Sequence, residues 1–415
     1  MRLLVVSQYF WPENFRINDL VSELVARGHQ VTVLTGRPNY PDGVVFPDYL
    51  SNPGAYGHWA GADVLRLPLR PRGRGAVALV RNYLSFVLWG LVLGPWKLRG
   101  RRFDAIFVFQ TSPVTAALPA LWLRRLKRAP LVMWVLDLWP DTLSAVGVVR
   151  SPRLLTVVGG LVGYIYRRCA RVLIASRAFA SNVEHWGGRP SQIRYFPNWI
   201  EPEFANAADE QTPAPELKAV ADCFNVLFAG NVGEAQDFPA LVEAATLLRD
   251  QRPTLRWLVV GDGRALDALR ADIARRGLQD HVLLLGRHAP QRMPAFFSGA
   301  HALLVSLKAD PVFALTVPGK VQSYLAAGRP VLAMLDGEGA RIVEESGAGF
   351  TAPAGDAVAL SQAVARLMDL PASTRQDMGQ RGRAYALREF DRSSLVSALE
   401  GWLHEVSAAG PGVQR

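Results

Sequence analysis

Cysteine is nearly absent: Cys169 and Cys223 are the only two in 415 residues. Two thiols so far apart build neither a disulfide framework nor a zinc spacing, so a reducing, cytoplasmic setting is expected. The seven histidines (His29, His58, His185, His281, His288, His301, His404) share no metal-ligand spacing, and none joins a serine or cysteine in a hydrolase-like grouping. No metal and no cofactor is therefore expected. The turn after the first strand has no glycine, which excludes a dinucleotide fingerprint there. That strand, RLLVVS, begins at Arg2 and leaves no room for a secretory leader.

Acid is missing from one long stretch. Between Asp63 and Asp104 there is no carboxylate, while Arg66, Arg70, Arg72, Arg74, Arg81, Lys97, Arg99, Arg101 and Arg102 contribute to a net charge of +10. The middle of the stretch, Tyr83 to Trp96, is apolar and aromatic. It is shorter than the roughly 20 apolar residues a spanning helix needs. An apolar helix with arginines at its flanks and tryptophans at Trp89 and Trp96 suits the interface of an anionic membrane. The plainer alternative is a core helix between solvated basic loops. The basic residues frame a greasy segment rather than alternating with stacking aromatics, so no nucleic-acid partner is expected.

What is present is a repeated alternation of strand and helix signals. Half of the residues are hydrophobic and 20% are charged, enough for sizeable cores and too apolar for general disorder. RLLVVS, QVTVLTG, DAIFVFQ, LVMWVLD and RVLIAS are near-continuous apolar runs, the mark of parallel strands covered on both faces. A helix from about Asn18 to Arg27 places Leu20, Val21, Leu24 and Val25 on one side. The turn-rich passage Asn198–Glu216 reads as a break, after which NVLFAG, RWLVVGDG, VLLLGR, ALLVSL and PVLAM restart the pattern. The fold class expected is α/β: two Rossmann-like, doubly wound domains facing a cleft. Their expected limits are 1–200 and 224–390, joined by a linker over 201–223, with a C-terminal helix in 391–415 packing back on the first domain.

Ligands in such folds sit at the carboxyl ends of strands, so the loops there carry the chemistry. In the first half, the turn from Ser7 to Asp19 is long and polar, and Asn14 and Arg16 read as substrate-facing; packing of Phe10 and Trp11 is the alternative. Asp137 ends the strand LVMWV and can point into a cleft, whereas Asp141 can cap the next helix. In the second half, Gly230–Phe238 offers Gly233 for close backbone approach and Asn231 and Gln236 as neutral donors. FALTVPGK runs into a helix whose first turn carries Lys320. A cation is unfavourable at that end of a helix dipole unless an anion docks beside it. The turn of Thr316, Val317, Pro318 and Gly319, with its backbone amides, Lys320 and a second charge from Lys308, reads as a diphosphate site. Solvated lysines are the plain alternative.

The order of these pieces resembles the bacterial family-4 retaining glycosyltransferases of GT-B architecture. RGHQVTVLTG, SRAFASNVEHWGG, IRYFPNWIEPEF, AGNVGEAQDFPALVEAA, VVGDG, PGKVQSYLAAGRPVLA and EESGAGF carry the likeness along nearly the whole chain. QYFWPENFRIND, VLDLWPDTL and FALTVPGKVQSY are most similar to the WbuB-like branch, which transfers N-acetylfucosamine-type sugars in O-antigen or capsule assembly. The chain also departs from the wider family. Two glutamates eight positions apart are replaced by Leu315 and Ser323, a basic pair by Asn231 and the uncharged Gln236, and a histidine by Leu136.

The resemblance implies a retaining hexosyltransferase that needs no divalent ion. Its donor would be a nucleotide-diphosphate sugar in the second domain, near Asn231, Gly233, Gln236, Lys308, Ser323 and the 316–320 turn. Its acceptor would be a saccharide on a polyprenyl diphosphate, held by Asn14, Arg16, Asp137 and Asp141 in the first domain. Asp137 and Lys320 would be the catalytic groups, and the expected location is peripheral, at the inner face of the cell membrane. A sugar-nucleotide epimerase of the same fold and a non-catalytic partner subunit are the competing readings.

Overall fold

The computed structural model describes residues 1–73, 75–145, 149, 151–205 and 212–410. The chain forms two compact units, Met1–Pro197 together with Ser393–Arg415, and Asn198–Arg392.

The first unit is built on a sheet of eight strands: β1 (Arg2–Val6), β2 (Gln30–Gly36), β3 (His58–Trp59), β4 (Ala62–Leu67), β5 (Ala105–Gln110), β6 (Leu131–Val135), β7 (Arg171–Ile174) and β8 (Ile193–Tyr195). Their order is β3-β4-β2-β1-β5-β6-β7-β8, and every pairing is parallel except β3 with β4. The strands β5 and β6 are buried at every residue, which is why their sequences are apolar without alternation. Four helices matter below: α1 (Arg16–Ala26), α2 (Ala76–Lys97), α3 (Ala117–Lys127) and α4 (Pro152–Tyr166).

The second unit holds six parallel strands: β9 (Phe224–Ala229), β10 (Leu255–Val260), β11 (Val282–Gly286), β12 (Ala302–Ser306), β13 (Val331–Met334) and β14 (Gly349–Ala352). Their order is β11-β10-β9-β12-β13-β14. Strand order reverses between β9 and β12, so the crevice past their carboxyl ends is where such a sheet accepts a ligand. The helix α5 (Gly319–Ala326) follows β12 on that side. The last helix, α6 (Arg392–Ala408), lies with the first unit: its Glu400 meets His29 at 2.6 Å and Arg27 at 2.8 Å, and its Glu405 meets Arg171 at 3.1 Å.

Three features differ from the sequence expectation. The stretch 201–223 is not a free linker. Phe204, Ala214, Leu217 and Val220 are buried in the core of the second unit, and the Ile200 amide donates to the Phe390 carbonyl at 3.1 Å. Of that stretch, 206–211 lies outside the described residues. The apolar helix is also longer than the Tyr83–Trp96 run: AVALV precedes Arg81 and is helical too, so Val77–Lys97 is long and apolar enough to cross a membrane. Arg81 and Asn82 do not end it, because the buried Asn82 amide is satisfied, donating to the Arg70 carbonyl at 2.6 Å and accepting from Gln8 at 2.7 Å.

Arg66 is the third difference. It is not a surface cation: burial lowers its pKa to about 10, and it donates to the Gly36 and Trp11 carbonyls. Arg101 is likewise engaged, by Asp63 at 2.6 Å. Arg74 lies outside the described residues.

Candidate functional site

In the second unit, a cavity of ≈ 590 Å³ opens at the carboxyl ends of β9, β10 and β11. Its walls include Gly230 and Asn231 after β9, Gly261–Gly263 after β10, Arg287 and His288 after β11, Gly319, Lys320 and Ser323 on α5, and Glu201. Tyr324 fixes α5 to β9: its hydroxyl donates to the Ala229 carbonyl at 3.1 Å and accepts the Ala229 amide at 2.8 Å.

Lys320 is the central cation. Its Nζ lies 3.9 Å from the centroid of the Phe228 ring. Burial pulls its pKa down from 10.5 to about 7. No carboxylate among the described residues pairs with it. The position needs glycine at 230, where φ is +137°, and a Cβ would stand 2.5 Å from Lys320 Cε. Next to it, Gly233 and Gly263 leave room for the Asn231 amide: a Cβ on either would come within 2.5 and 2.8 Å of its side-chain nitrogen and oxygen, respectively. A desolvated ammonium over an aromatic face, with no counter-ion, is poised to gain from an arriving anion.

The structure gathers some of the expected donor residues and scatters others. Asn231, Gly319, Lys320 and Ser323 share the cavity. Lys308 does not: it lines a separate hollow of ≈ 180 Å³ with Gly233 and Glu234, and its amide donates to the Ala235 carbonyl. The second cation on the cavity wall is Arg287. Gln236 lies in a short turn pinned to β12, its carbonyl accepting from Ser306 Oγ at 2.7 Å. Within the expected amide cradle, the Thr316 amide is already donated to the Phe313 carbonyl, Pro318 has no N–H, and Val317 packs on the core, so Gly319 is the member that reaches the cavity.

Sequence reasoning missed Glu201. Its carboxylate accepts a hydrogen bond from Ser323 Oγ and lines the same cavity. A serine at 323 thus holds a carboxylate supplied from another part of the chain. Trp199 and Ile200, directly before Glu201, are buried, which shows that stretch to be packed rather than linking, but nothing in the sequence ties Glu201 to Ser323.

In the first unit, Asp137 follows β6. Burial raises its pKa above the usual carboxylate range, although it accepts hydrogen bonds from Thr142 at 2.5 Å, Trp139 at 3.3 Å and Ser112. Asp141 instead accepts from Asn182 at 2.8 Å and from Trp186 at 3.4 Å, a tie between two helices rather than an open acid. Asn14 is exposed, and Arg16 stands 4.0 Å from Asp19 at the start of α1. The loop around them is organised by the buried Glu13, which receives the amides of Phe10, Asn39 and Tyr40. Phe10 and Trp11 pack on Trp59, and Trp11 also on Tyr56.

Comparison with known proteins places this geometry. Residues 14–199 match the model of the glycosyl transferase 4-like domain, and residues 223–369 that of glycosyl transferases group 1. The probable glycosyltransferase WbjE of Pseudomonas aeruginosa is 25% identical over 66% of this chain and 69% of its own length. The putative colanic acid biosynthesis glycosyl transferase WcaI of Escherichia coli is 26% identical over 79% and 82%. Among solved structures, Anabaena Alr3699/HepE in complex with UDP superposes with a TM-score of 0.69 at 16% identity, covering 98% of this chain and 100% of that one. Sucrose-phosphate synthase from Thermosynechococcus elongatus gives 0.73 at 17% identity, covering 99% of both. With two domain models in tandem over most of its length and two parallel-sheet units of the GT-B fold, the chain belongs to the glycosyltransferases.

Proposed function

We propose that this glycosyltransferase moves an N-acetylated deoxysugar, with retention, from a nucleotide diphosphate to a polyprenyl diphosphate-linked saccharide during O-antigen or capsule synthesis. The observation that carries the donor half is Lys320: a desolvated ammonium with no counter-ion among the described residues, beside Gly230 and Gly319, in a cavity at the carboxyl ends of β9, β10 and β11. Support for a nucleotide sugar comes from neighbours solved with UDP and with UDP-glucose. Support for polysaccharide assembly comes from WbjE and WcaI, and the deoxysugar rests on the WbuB-like motifs.

As the glycosidic bond to the diphosphate breaks, negative charge grows on the departing oxygen. Lys320 and the Gly319 amide stabilise that charge without a metal ion, more strongly in a dry cavity than in water. Asp137 in the first unit accepts a hydrogen bond from the acceptor hydroxyl and orients it. It forms no covalent intermediate. The exposed apolar face of α2 rests on the inner leaflet and brings the lipid-linked acceptor to the enzyme.

Mass spectrometry of a lipid-linked acceptor incubated with a panel of nucleotide sugars tests the reading, with thermal shift against the same panel as the binding arm. Transfer from at least one donor is expected. Binding with donor conversion but no transfer would favour the epimerase, and no binding at all the partner subunit.

Two variants probe the individual roles. Glu201→Gln should weaken nucleotide-sugar binding about 10- to 100-fold, since hydrogen bonds to a charged acceptor contribute about 1.5–3 kcal/mol. Calorimetry reads this directly, and an unchanged Kd removes Glu201 from the donor's contacts. Asp137→Asn should lower kcat by about 10²-fold with little change in donor Kd. Because burial holds the Asp137 pKa high, wild-type turnover should fall on the acid side as the carboxylate protonates, and the asparagine variant should lose that limb. Identical pH profiles would assign the limb to another group.

A further inference from the structure

Away from both sites, a hollow of ≈ 490 Å³ opens beside the starts of β6 and β7. Its lining carries Arg124, Arg125, Arg128, Arg171 and Arg189, against a single carboxylate, Glu405. Helix electrostatics account for part of this: cations are favoured in the last turn of a helix, and α3 ends with Arg124, Arg125 and Lys127. They do not account for Arg171, which opens a strand, or for Arg189, which comes from the loop before β8. Lys127 turns away, donating to the Leu98 and Arg101 carbonyls.

One further observation points to a ligand. Arg171 donates to Glu405 at 3.1 Å and to the Ala170 carbonyl at 3.0 Å, yet its Nε is buried and lacks a hydrogen-bond partner among the described residues. A buried N–H of that kind is costly unless something accepts from it. Arg128, at the rim of the hollow, ends α3 in the left-handed conformation common at helix C-termini, with φ +50° and its amide donating to the Arg124 carbonyl. Burial also holds the Arg124 pKa below its ordinary value, with Arg125 and Arg168 acting the same way.

We propose that this hollow is a phosphate-binding site, taking a phosphate monoester or the phosphodiester of an anionic lipid headgroup. Guanidinium forks match tetrahedral oxyanions with two parallel hydrogen bonds each, and several forks converging from three elements fit a group that offers many acceptor oxygens. The proposal does not depend on the sugar-transfer reading.

The test is a titration of the full chain with inorganic phosphate at constant ionic strength, following arginine Nε–H resonances by NMR. Parallel arms use dihexanoyl phosphatidylglycerol and dihexanoyl phosphatidylcholine below their critical concentrations. Phosphate should move the Arg171 Nε–H signal. The double variant Arg128→Gly and Arg189→Gln should raise the half-saturation point about tenfold or more, with nucleotide-sugar affinity unchanged. Arg125→Gln, at an exposed position, is the second variant should the double change misfold. A response to phosphatidylglycerol but not to inorganic phosphate supports the site and makes lipid its source. No response to either, or one undiminished in the variants, overturns it.

Discussion

Lys320→Met is expected to cut kcat by about 10²- to 10³-fold, the loss typical when one preorganised donor to a developing anion is removed, while the protein becomes more stable. Both effects follow from one ammonium held in a desolvated place. In the unliganded fold its pKa is about 7, against an ordinary 10.5. Below pH 7 the lysine is charged in folded and unfolded chains alike, and the folded state bears the whole desolvation cost. Between pH 7 and 10.5 the unfolded chain binds the proton and the folded one does not, so stability rises with pH across that window. The methionine variant carries no such group. Its advantage over wild type should be greatest, a few kcal/mol, near pH 6 and should fade toward pH 10.

The same ammonium links binding to protons. A nucleotide sugar has no phosphate that titrates near neutrality, so its arrival should draw the Lys320 pKa back up and take in a proton above pH 7. Calorimetry at pH 8 in buffers of different ionisation enthalpy should report nearly one proton gained per donor bound, and affinity should decline by up to about tenfold per pH unit above 7. In Lys320→Met both signatures should vanish. A variant with wild-type turnover, or a wild type that binds without proton uptake, would take the diphosphate away from Lys320.

How far this site could be read in advance depends on the range of the forces that build it. The apolar runs of β5, β6, β9 and β12 betray a covered parallel sheet because burial on both faces acts on every residue of the strand. The place of Lys320 on the cavity wall could be anticipated because a cation in the first turn of α5 contradicts the helix dipole, a conflict contained within a few residues. Lys308 looked like a second cation for the same anion in sequence. What separates it from Lys320 is the docking of the 234–236 turn on β12, which goes with Lys308 lining a separate hollow and depends on contacts some 70 residues apart. Glu201 was illegible for the same reason, since Ser323 selects it across 122 positions. Arg66 shows the opposite error: counted as a surface charge, it is buried against Tyr49 and Tyr56.

The second large effect concerns α2. Its inward side carries Asn82, Phe86, Gly90 and Gly94; a Cβ at Gly90 would fall 2.5 Å from Pro119, and one at Gly94 3.8 Å from Leu123, so α2 and α3 touch closely. Its outward side carries Val77, Val80, Leu84, Leu88, Leu91, Val92 and Trp96, each more than a third exposed. A surface helix in water shows the reverse, polar residues outward. Trp122 and Leu126 on α3 and Leu154 and Val157 on α4 are exposed as well, and α4 packs on α3. Arg99 lies over the Trp96 ring at 4.9 Å, at the end of the apolar stripe. Although α2 is long enough to cross a bilayer, its packed side keeps it on the protein, so the membrane docking proposed above takes the form of insertion of the outer face into one leaflet. Burying an exposed large apolar side chain contributes about 1 kcal/mol or more, so seven act together. The triple change Leu84→Gln, Leu88→Gln and Val92→Gln removes three without touching the core, and should reduce pelleting with phosphatidylglycerol vesicles about 100-fold or more while leaving the melting temperature within a few degrees. High salt should weaken wild-type binding only in part, because the flanking arginines supply the screened share. Failure of the wild type to pellet with anionic vesicles would refute membrane docking, and self-association abolished by the triple change would reassign the face to a second copy of the chain.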